Sequence, residues 1–103
     1  MKHSIETLIK KINPEKAYAL TDRNSVIKKV IELSHTLPDY YRDSKVKYGM
    51  VLRFRYLAGY TQEKTAKELG ISRQRVSQIE HKAVRMIRHP ARFKHLRPFL
   101  EEI

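Results

Sequence analysis

The stretch TQEKTAKELGISRQRVSQIEHKAVRMIRH, residues 61–89, has the residue spacing of a helix-turn-helix. Thr61 can cap a short first helix, and Gly70 can end that helix because glycine tolerates the positive φ of a C-cap. Ile71 follows as an apolar turn residue. Ser72 can cap the second helix, since its hydroxyl can accept a hydrogen bond from an unpaired first-turn N–H. The pattern predicts two helices joined by a tight turn.

The second helix combines an apolar stripe with a polar face. Apolar residues recur at helical spacing at Val76, Ile79, Ala83, Met86 and Ile87. Arg and Gln, which can form paired hydrogen bonds with guanine and adenine edges, gather at the helix start, where a recognition helix meets the bases. The sequence therefore predicts a DNA-binding helix with a polar face made of Arg73, Gln74, Ser77, Gln78, His81, Lys82 and Arg85.

An ordinary amphipathic helix with a solvated basic face is the alternative interpretation of residues 73–88. The neighbouring helix argues against it, because Ala66 would let two helices approach closely and Val76 and Ile79 would pack back onto the first helix. Thr65 departs from the helix-turn-helix pattern, which usually has an aliphatic residue there. We expect Thr65 to be half-exposed or to pack only through its methyl group.

The charge of the chain favours a polyanionic partner. The 103 residues carry 22 Lys and Arg against 11 Asp and Glu, a formal net charge of +11. Residues 73–97 hold eight basic side chains and one acid, Glu80. Basic side chains that contact phosphates add affinity without sequence information. This distribution favours nucleic acid or an anionic surface over an acidic small molecule.

Length and composition set further limits. A chain of 103 residues permits one domain with a modest core. It contains no Cys, so disulfides and thiolate metal sites are excluded. No apolar run approaches the roughly 20 residues of a membrane span, and the first residues are too polar for a signal peptide. We expect a cytoplasmic protein.

The rest of the chain is predicted to be helical, with six or seven helices in all and no sheet. Ser4 is expected to cap the first helix, and Pro14 to begin a second over residues 14–20. A third follows a cap at residues 22–25 and ends before Pro38. The next helix is predicted over residues 43–57, and the recognition helix ends at His89-Pro90. A short helix over residues 91–100 completes an all-α fold.

Four pieces of this sequence come in the order found in region 4 of sigma-70-type bacterial RNA polymerase sigma factors. They are VLRFRY (51–56), RQRVSQIE (73–80), KAVRMIRHP (82–90) and LRPFL (96–100). Residues 51–102 thus resemble region 4, in which the second helix of the motif binds the promoter minus-35 element. The resemblance also implies docking on the flap of the polymerase β subunit. We therefore divide the chain into an N-terminal helical extension, residues 1–42, and a region-4-like domain, residues 43–103, with the helix-turn-helix at about 61–88.

The resemblance assigns roles to particular positions. It places base contacts at Arg73, Gln74, Ser77 and Gln78. Phosphate contacts are predicted for Thr61, Ser72, Arg75, Lys82, Arg85 and Arg88. Polymerase docking is predicted for Val51, Leu52, Arg55 and Tyr56.

This chain departs from the family pattern at two base-facing positions. Housekeeping members carry Glu where this chain has Gln74, and a basic residue where it has Ser77. Glu accepts from cytosine N4, whereas Gln prefers adenine. We therefore expect a site that differs from the housekeeping minus-35 hexamer.

Residues 1–50 lack the exposed aromatic run with which sigma region 2 melts DNA. Tyr18, Tyr40, Tyr41 and Tyr48 are too scattered for that role and are expected to pack ordinarily. The chain is expected to be a whole small protein that supplies region 4 to initiation. Its partners would be double-stranded DNA, the β-flap, and either a region-2-like subunit or the resident sigma factor.

Enzymatic and membrane functions find little support in the sequence. The five His residues lack zinc-ligand spacing, and no P-loop, nucleophile elbow or carboxylate pair is present, so we expect no enzyme, metal or cofactor. A membrane-surface helix at residues 88–97 is disfavoured, because Phe93, Leu96 and Phe99 are expected to pack on the domain. The alternative function is a dimeric helix-turn-helix repressor or activator without flap contact, in which residues 4–37 would form the homodimer interface.

Overall fold

The computed structural model describes residues 4–38 and 46–103 of the chain. Six helices are present in these ranges: α1 Ile5–Ile12, α2 Arg23–His35, α3 Tyr48–Leu52, α4 Gln62–Leu69, α5 Arg73–Arg88 and α6 Pro90–Phe93. A π-helical turn, Arg53–Leu57, continues α3, and a 3₁₀ turn spans Arg97–Phe99. Two short strands, β1 Tyr18–Leu20 and β2 Leu100–Glu102, pair with each other. The fold is therefore all-α apart from one small sheet.

The helix-turn-helix forms as the sequence predicts. The Thr61 hydroxyl accepts the Lys64 N–H at 3.1 Å, and the Ser72 hydroxyl accepts the Arg75 N–H at 3.1 Å. Gly70 has φ +68° and ends α4 in the left-handed region, where a side chain would be strained. Both helix starts and the turn between them therefore follow from local sequence.

Thr65 is fully buried, so of the two alternatives for this residue half-exposure was wrong, and the side chain packs inside the fold. Its hydroxyl donates to the Thr61 carbonyl at 2.8 Å. This bond to the preceding turn lets a polar side chain occupy a position between α4 and α5 that normally requires an aliphatic residue.

The expectation of a helix over residues 14–20 was also wrong. Lys16 donates its N–H to the Asn13 carbonyl in a turn, and Tyr18–Leu20 then form β1. Strand β1 runs antiparallel to β2, with Leu20 opposite Leu100. A three-residue strand has too few residues for an alternating pattern, and its partner lies at the other end of the sequence.

The same pairing corrects the expectation of one helix over residues 91–100. Helix α6 ends at Phe93, a 3₁₀ turn follows, and the chain enters β2 at Leu100. Thr21 donates its N–H to the Phe99 carbonyl at 3.0 Å, which extends the ladder by one bond. The Phe99 carbonyl, which follows Pro98, is thus paired with the N-terminal strand and not with a continued helix.

Helix starts elsewhere agree with the sequence in part. The Asp22 side chain accepts the Ser25 N–H and caps α2, as predicted. Ser4 lies at the start of α1 but forms no side-chain cap, and its hydroxyl lies 3.4 Å from the Thr7 hydroxyl instead. The predicted helix over residues 43–57 begins at Tyr48 in the structure, and residues 43–45 lie outside the described ranges.

The elements on both sides of the predicted boundary at residue 42 contribute to a single hydrophobic core. Helix α1 buries Ile5, Leu8 and Ile12, and α2 buries Val26 and Val30. These side chains belong to the same cluster as the buried residues of the helix-turn-helix. The N-terminal extension is therefore packed against the region-4-like part. No helix within residues 4–38 and 46–103 has the length and apolar character that a membrane span requires.

Candidate nucleic-acid interface

The first two turns of α5 present a polar face to solvent. Arg73, Gln74, Ser77 and Gln78 are all exposed. The opposite side of the helix is buried, with Val76, Ile79, Ala83 and Ile87 each 0% exposed. Because that side is fixed in the core, the rotation of α5 about its axis is fixed as well. The four predicted base-contacting residues consequently share one outward face.

The predicted phosphate-contacting residues surround this face but differ in exposure. Lys82, Arg85 and Arg88 are exposed along α5, whereas Arg75 is half-buried. Thr61 and Ser72 are exposed, and their side-chain oxygens already accept cap hydrogen bonds. Since each hydroxyl retains its hydrogen, it can still donate to a phosphate oxygen.

A buried ionic cluster fixes α5 from behind. Glu80 is 5% exposed and forms an ion pair with Arg55, which is 3% exposed. The Tyr56 hydroxyl donates to Glu80 Oε2 at 2.8 Å. Lys11 Nζ, from α1, lies 3.3 Å from the same oxygen and 2.9 Å from the Tyr56 hydroxyl. The cluster joins three segments of the chain behind the exposed polar face.

The protonation states of Glu80 and Tyr56 follow from the groups around them. Burial by itself would raise the pKa of Glu80, but hydrogen bonds from Arg55 and Tyr56 and the charges of Arg55 and Lys11 bring that pKa below its ordinary value. Burial raises the pKa of Tyr56, and the charge of Glu80 raises it further. Glu80 is therefore ionised and Tyr56 neutral at physiological pH.

Sequence reasoning missed this cluster. Glu80 appeared there only as the single acid of a basic stretch, and Lys11 was not singled out. An isolated acid on the inner side of a basic amphipathic helix is the signal that could have revealed a buried ion pair, because an unpaired buried charge is costly.

The four residues predicted to dock on the polymerase are buried. Val51 and Leu52 are 0% exposed, Arg55 3% and Tyr56 2%. Their side chains pack in the core or in the ionic cluster, and they offer no surface for direct contact with a partner in this conformation. Docking by this part of the chain stays a prediction, but it would have to involve other side chains.

A partly exposed apolar surface does exist on the same helical segment. Met50 and Phe54 are half-buried there and lie one turn apart, and Tyr60 follows after the π-helical turn. The rings of Phe54 and Tyr60 stack with centroids 5.3 Å apart, and Lys64 Nζ lies 4.1 Å from the centre of the Tyr60 ring. We call Met50, Phe54 and Tyr60 together the α3 surface, after the helix in which it begins.

No group of three or more His, Asp or Glu in the described ranges is placed to hold a metal ion.

Known proteins are similar to the part of the chain that contains α5. The family model described as "Sigma-70, region 4" matches residues 49–89. RNA polymerase sigma factor SigA of a Bacillus species is 51% identical over 41 residues, which is 40% of this chain and 11% of that protein. The SigA proteins of Listeria monocytogenes and Listeria innocua are each 49% identical over 41 residues with the same coverage. No solved structure gave a significant match.

The matched residues include α3 except for Tyr48, the π-helical turn and the whole helix-turn-helix. The chain spans about a tenth of the length of these curated relatives, 11% in each case. Residues 49–89 are therefore similar to sigma-70 region 4.

Proposed function

We propose that this chain binds duplex DNA at a promoter minus-35-like element and acts in transcription initiation as a sigma-like subunit or regulator. The observation that carries the proposal is the outward face of Arg73, Gln74, Ser77 and Gln78 on a helix whose opposite face is fully buried. A helix about 10–12 Å wide fits a major groove about 12 Å wide. The net charge of +11 favours association with DNA.

The chemistry of the exposed face indicates which bases it prefers. Arg73 can bind guanine O6 and N7 with two parallel hydrogen bonds, and Gln74 or Gln78 can bind adenine N6 and N7. Ser77 is short and donates or accepts equally well, so it adds little discrimination. We therefore propose a site that contains both guanine and adenine.

Replacing Arg73 with Ala tests base recognition. We expect the variant to lose roughly 1–3 kcal/mol of binding free energy on the preferred site and little on scrambled DNA. Site selection from a random DNA pool would supply the preferred duplex, and a fluorescence titration would measure both affinities. Unchanged selectivity would show that α5 does not contact the bases.

Arg88→Ala is the matched control for that experiment. Arg88 is exposed on the last turn of α5, away from the base-facing turns. A phosphate contact there carries no sequence information, so the variant should weaken site and scrambled duplexes equally and reduce the salt slope by roughly 1.

The polymerase contact is proposed on the α3 surface instead of on the four buried residues. Met50, Phe54 and Tyr60 supply apolar area that the core does not cover fully, and Lys64 gives the surface a basic edge. The region 4 resemblance implies a hydrophobic contact with the β-flap from this helical segment. A region-2-like subunit or the resident sigma factor would complete initiation.

Phe54→Ala tests this docking surface. We expect it to weaken binding to the isolated β-flap segment by at least about 1 kcal/mol, the effect typical of an interface residue that contributes measurably. Ile31→Ala, which removes a half-buried apolar side chain from α2, is the control and should leave binding unchanged. Calorimetric titration measures both.

Failure to bind the flap at tens of micromolar, together with a stable homodimer in solution, would reject the initiation role. The dimeric repressor or activator would then account better for the DNA-binding face, and its footprint should show half-sites about one helical turn apart.

A further inference from the structure

A groove with basic walls runs along the side of α5 toward the end of the chain. Its first part, about 620 Å³, lies between α1 and α5 and is lined by Lys11, Ser77 and Arg85 among others. Its second part, about 650 Å³, lies between the α1–β1 turn and the segment after α5. Pro14 and Arg88 line both parts, so the two parts meet there. We call the whole the flank groove.

The flank groove begins at the predicted DNA interface. Ser77, His81, Arg85 and Arg88 line its first part at helical spacing on one side of α5. At 1.5 Å per residue, Ser77 and Arg88 are about 17 Å apart along the helix axis. The first part of the groove therefore follows α5 from the base-facing Ser77 to Arg88.

The charge of the second part is strongly positive. Arg88, Lys94 and Arg97 are exposed and line it, together with one exposed acid, Glu15. The Arg97 guanidinium lies 5.8 Å from the centre of the Phe93 ring, which holds it at the groove wall. In the first part, Glu80 is already paired with Arg55 and Lys11, so its charge is compensated.

The N-terminal extension builds one wall of the groove and also positions the other. Asn13, Pro14 and Glu15 form the wall on the side of the α1–β1 turn. The pairing of β1 with β2 and the bond from the Thr21 N–H to the Phe99 carbonyl hold the turn that carries Arg97. Residues outside the matched range 49–89 thus extend the basic surface beyond the helix-turn-helix.

We infer that the flank groove binds backbone phosphates of the duplex beside the recognised bases. This inference rests on the proposed DNA-binding function and adds a second tract of contact to it. Continuity with Ser77 favours DNA as the occupant, because a duplex seated on the α5 face would extend its backbone past the groove. Lys and Arg in a groove suit a phosphate backbone, which carries one charge per 3.4 Å of each strand.

The test is the salt dependence of DNA binding by the Lys94→Ala/Arg97→Ala double variant. Each phosphate contact contributes about 0.9 to the slope of log K against log salt, so the slope should fall by roughly 1.8. Between 50 and 200 mM salt the wild type should therefore lose about tenfold more affinity than the variant. A scrambled duplex suffices as the probe, since these contacts are independent of sequence.

A second variant tests the groove independently, in case the first variant misfolds. Glu15→Lys replaces the exposed acid of the groove with a cation and should raise the slope by roughly 1. Lys10→Ala/Lys28→Ala removes two exposed charges elsewhere and is the control for net charge. Its slope should stay close to that of the wild type.

Duplexes of increasing length locate the contact between the flank groove and the DNA. The wild type should bind more tightly when one helical turn is added on one side of the selected site, and Lys94→Ala/Arg97→Ala should lose that gain. Arg73→Ala should lose sequence preference and keep the gain, so failure of base recognition and failure of the flank groove give different results. Unchanged slopes in both groove variants would overturn the inference. Loss of binding to an oligoglutamate peptide, with DNA binding intact, would assign the groove to an acidic protein segment instead.

Discussion

Glu80 lies at the junction between the DNA-facing helix and the core. Its carboxylate accepts hydrogen bonds from Arg55, Tyr56 and Lys11, and its side chain is 7% exposed. Arg55 also donates to the Tyr60 carbonyl at 2.6 Å, which ties the loop before α4 to the same cluster. A single carboxylate therefore helps to set both the rotation of α5 and the position of the first helix of the motif.

Glu80→Gln should destabilise the protein by about 3–5 kcal/mol, because it leaves the buried Arg55 guanidinium without its counter-charge. Lys11→Met is the matched comparison. The Lys11 side chain is 42% exposed, so loss of its ion pair should cost less than about 1 kcal/mol. Urea unfolding at neutral pH measures both, and equal losses would show that the cluster is not organised around the Arg55 pair.

At the level of the elements, α2 and α3 approach each other closely at Gly49. A Cβ at this position would lie 1.9 Å from the Ser34 carbonyl oxygen. The contact is with backbone, so a rotamer change cannot relieve it. Glycine is required there by the distance between the helices, in contrast to Gly70, which is required by its positive φ.

Gly49→Ala should lower the free energy of unfolding by about 1–3 kcal/mol or more, since it forces α2 and α3 apart. Adding Ser34→Gly should not restore the loss, because the backbone oxygen remains in place. Gly70→Ala should cost about 1–2 kcal/mol through backbone strain alone. Hydrogen exchange distinguishes the two effects: faster exchange of α2 amides is expected for Gly49→Ala and not for Gly70→Ala.

Local sequence predicted the elements whose signals are local. Thr61, Gly70 and Ser72 each satisfy a backbone requirement within three residues, and the helix-turn-helix formed accordingly. The strands β1 and β2 were missed, because each is stabilised by the other at a distance that periodicity cannot detect. Burial was also harder to predict than helicity. Met50 and Phe54 lie on the same helical segment as Val51 and Leu52, and only the packing of α1, α2 and α5 shows which side faces solvent.

The base-facing and phosphate-facing residues remain predictions, although the structure places the base-facing four on one exposed surface. Their position followed from the period of α5, with apolar residues at Val76, Ile79 and Ala83. The flank groove could not have been found from sequence, since its walls come from residues 11–15, Gln62 and residues 77–97, which are distant in the chain.

For the molecule as a whole, several carboxylates are more acidic in the folded state than in isolation. A hydrogen bond from Arg23 lowers the pKa of Glu6, and hydrogen bonds from Ser25 lower that of Asp22. Glu80 behaves likewise inside the core. Because these groups bind protons more weakly when folded, they contribute stability above the ordinary carboxyl pKa, and that contribution is lost as pH falls through the lowered values.

The protein should therefore lose stability on acidification below about pH 4, near the unperturbed carboxyl pKa values. Protonation also raises the net charge above +11, which adds repulsion. Urea midpoints measured between neutral and acidic pH test this, and Glu80→Gln should show a shallower decline than the wild type. Equal declines would mean that exposed carboxylates, which salt screens, dominate the acid response.

The small sheet has a kinetic consequence. Leu20 and Leu100 are paired although 80 positions separate them in the chain. Closing so long a loop costs conformational entropy, and the contacts of three facing residue pairs offset little of that cost. The strands should therefore pair after the helices have packed together. They should also be among the first parts of the native state to unfold locally. Each opening would briefly free the segment that carries Arg97, so the reach of its positive charge would vary with local unfolding while the recognition helix stays in place.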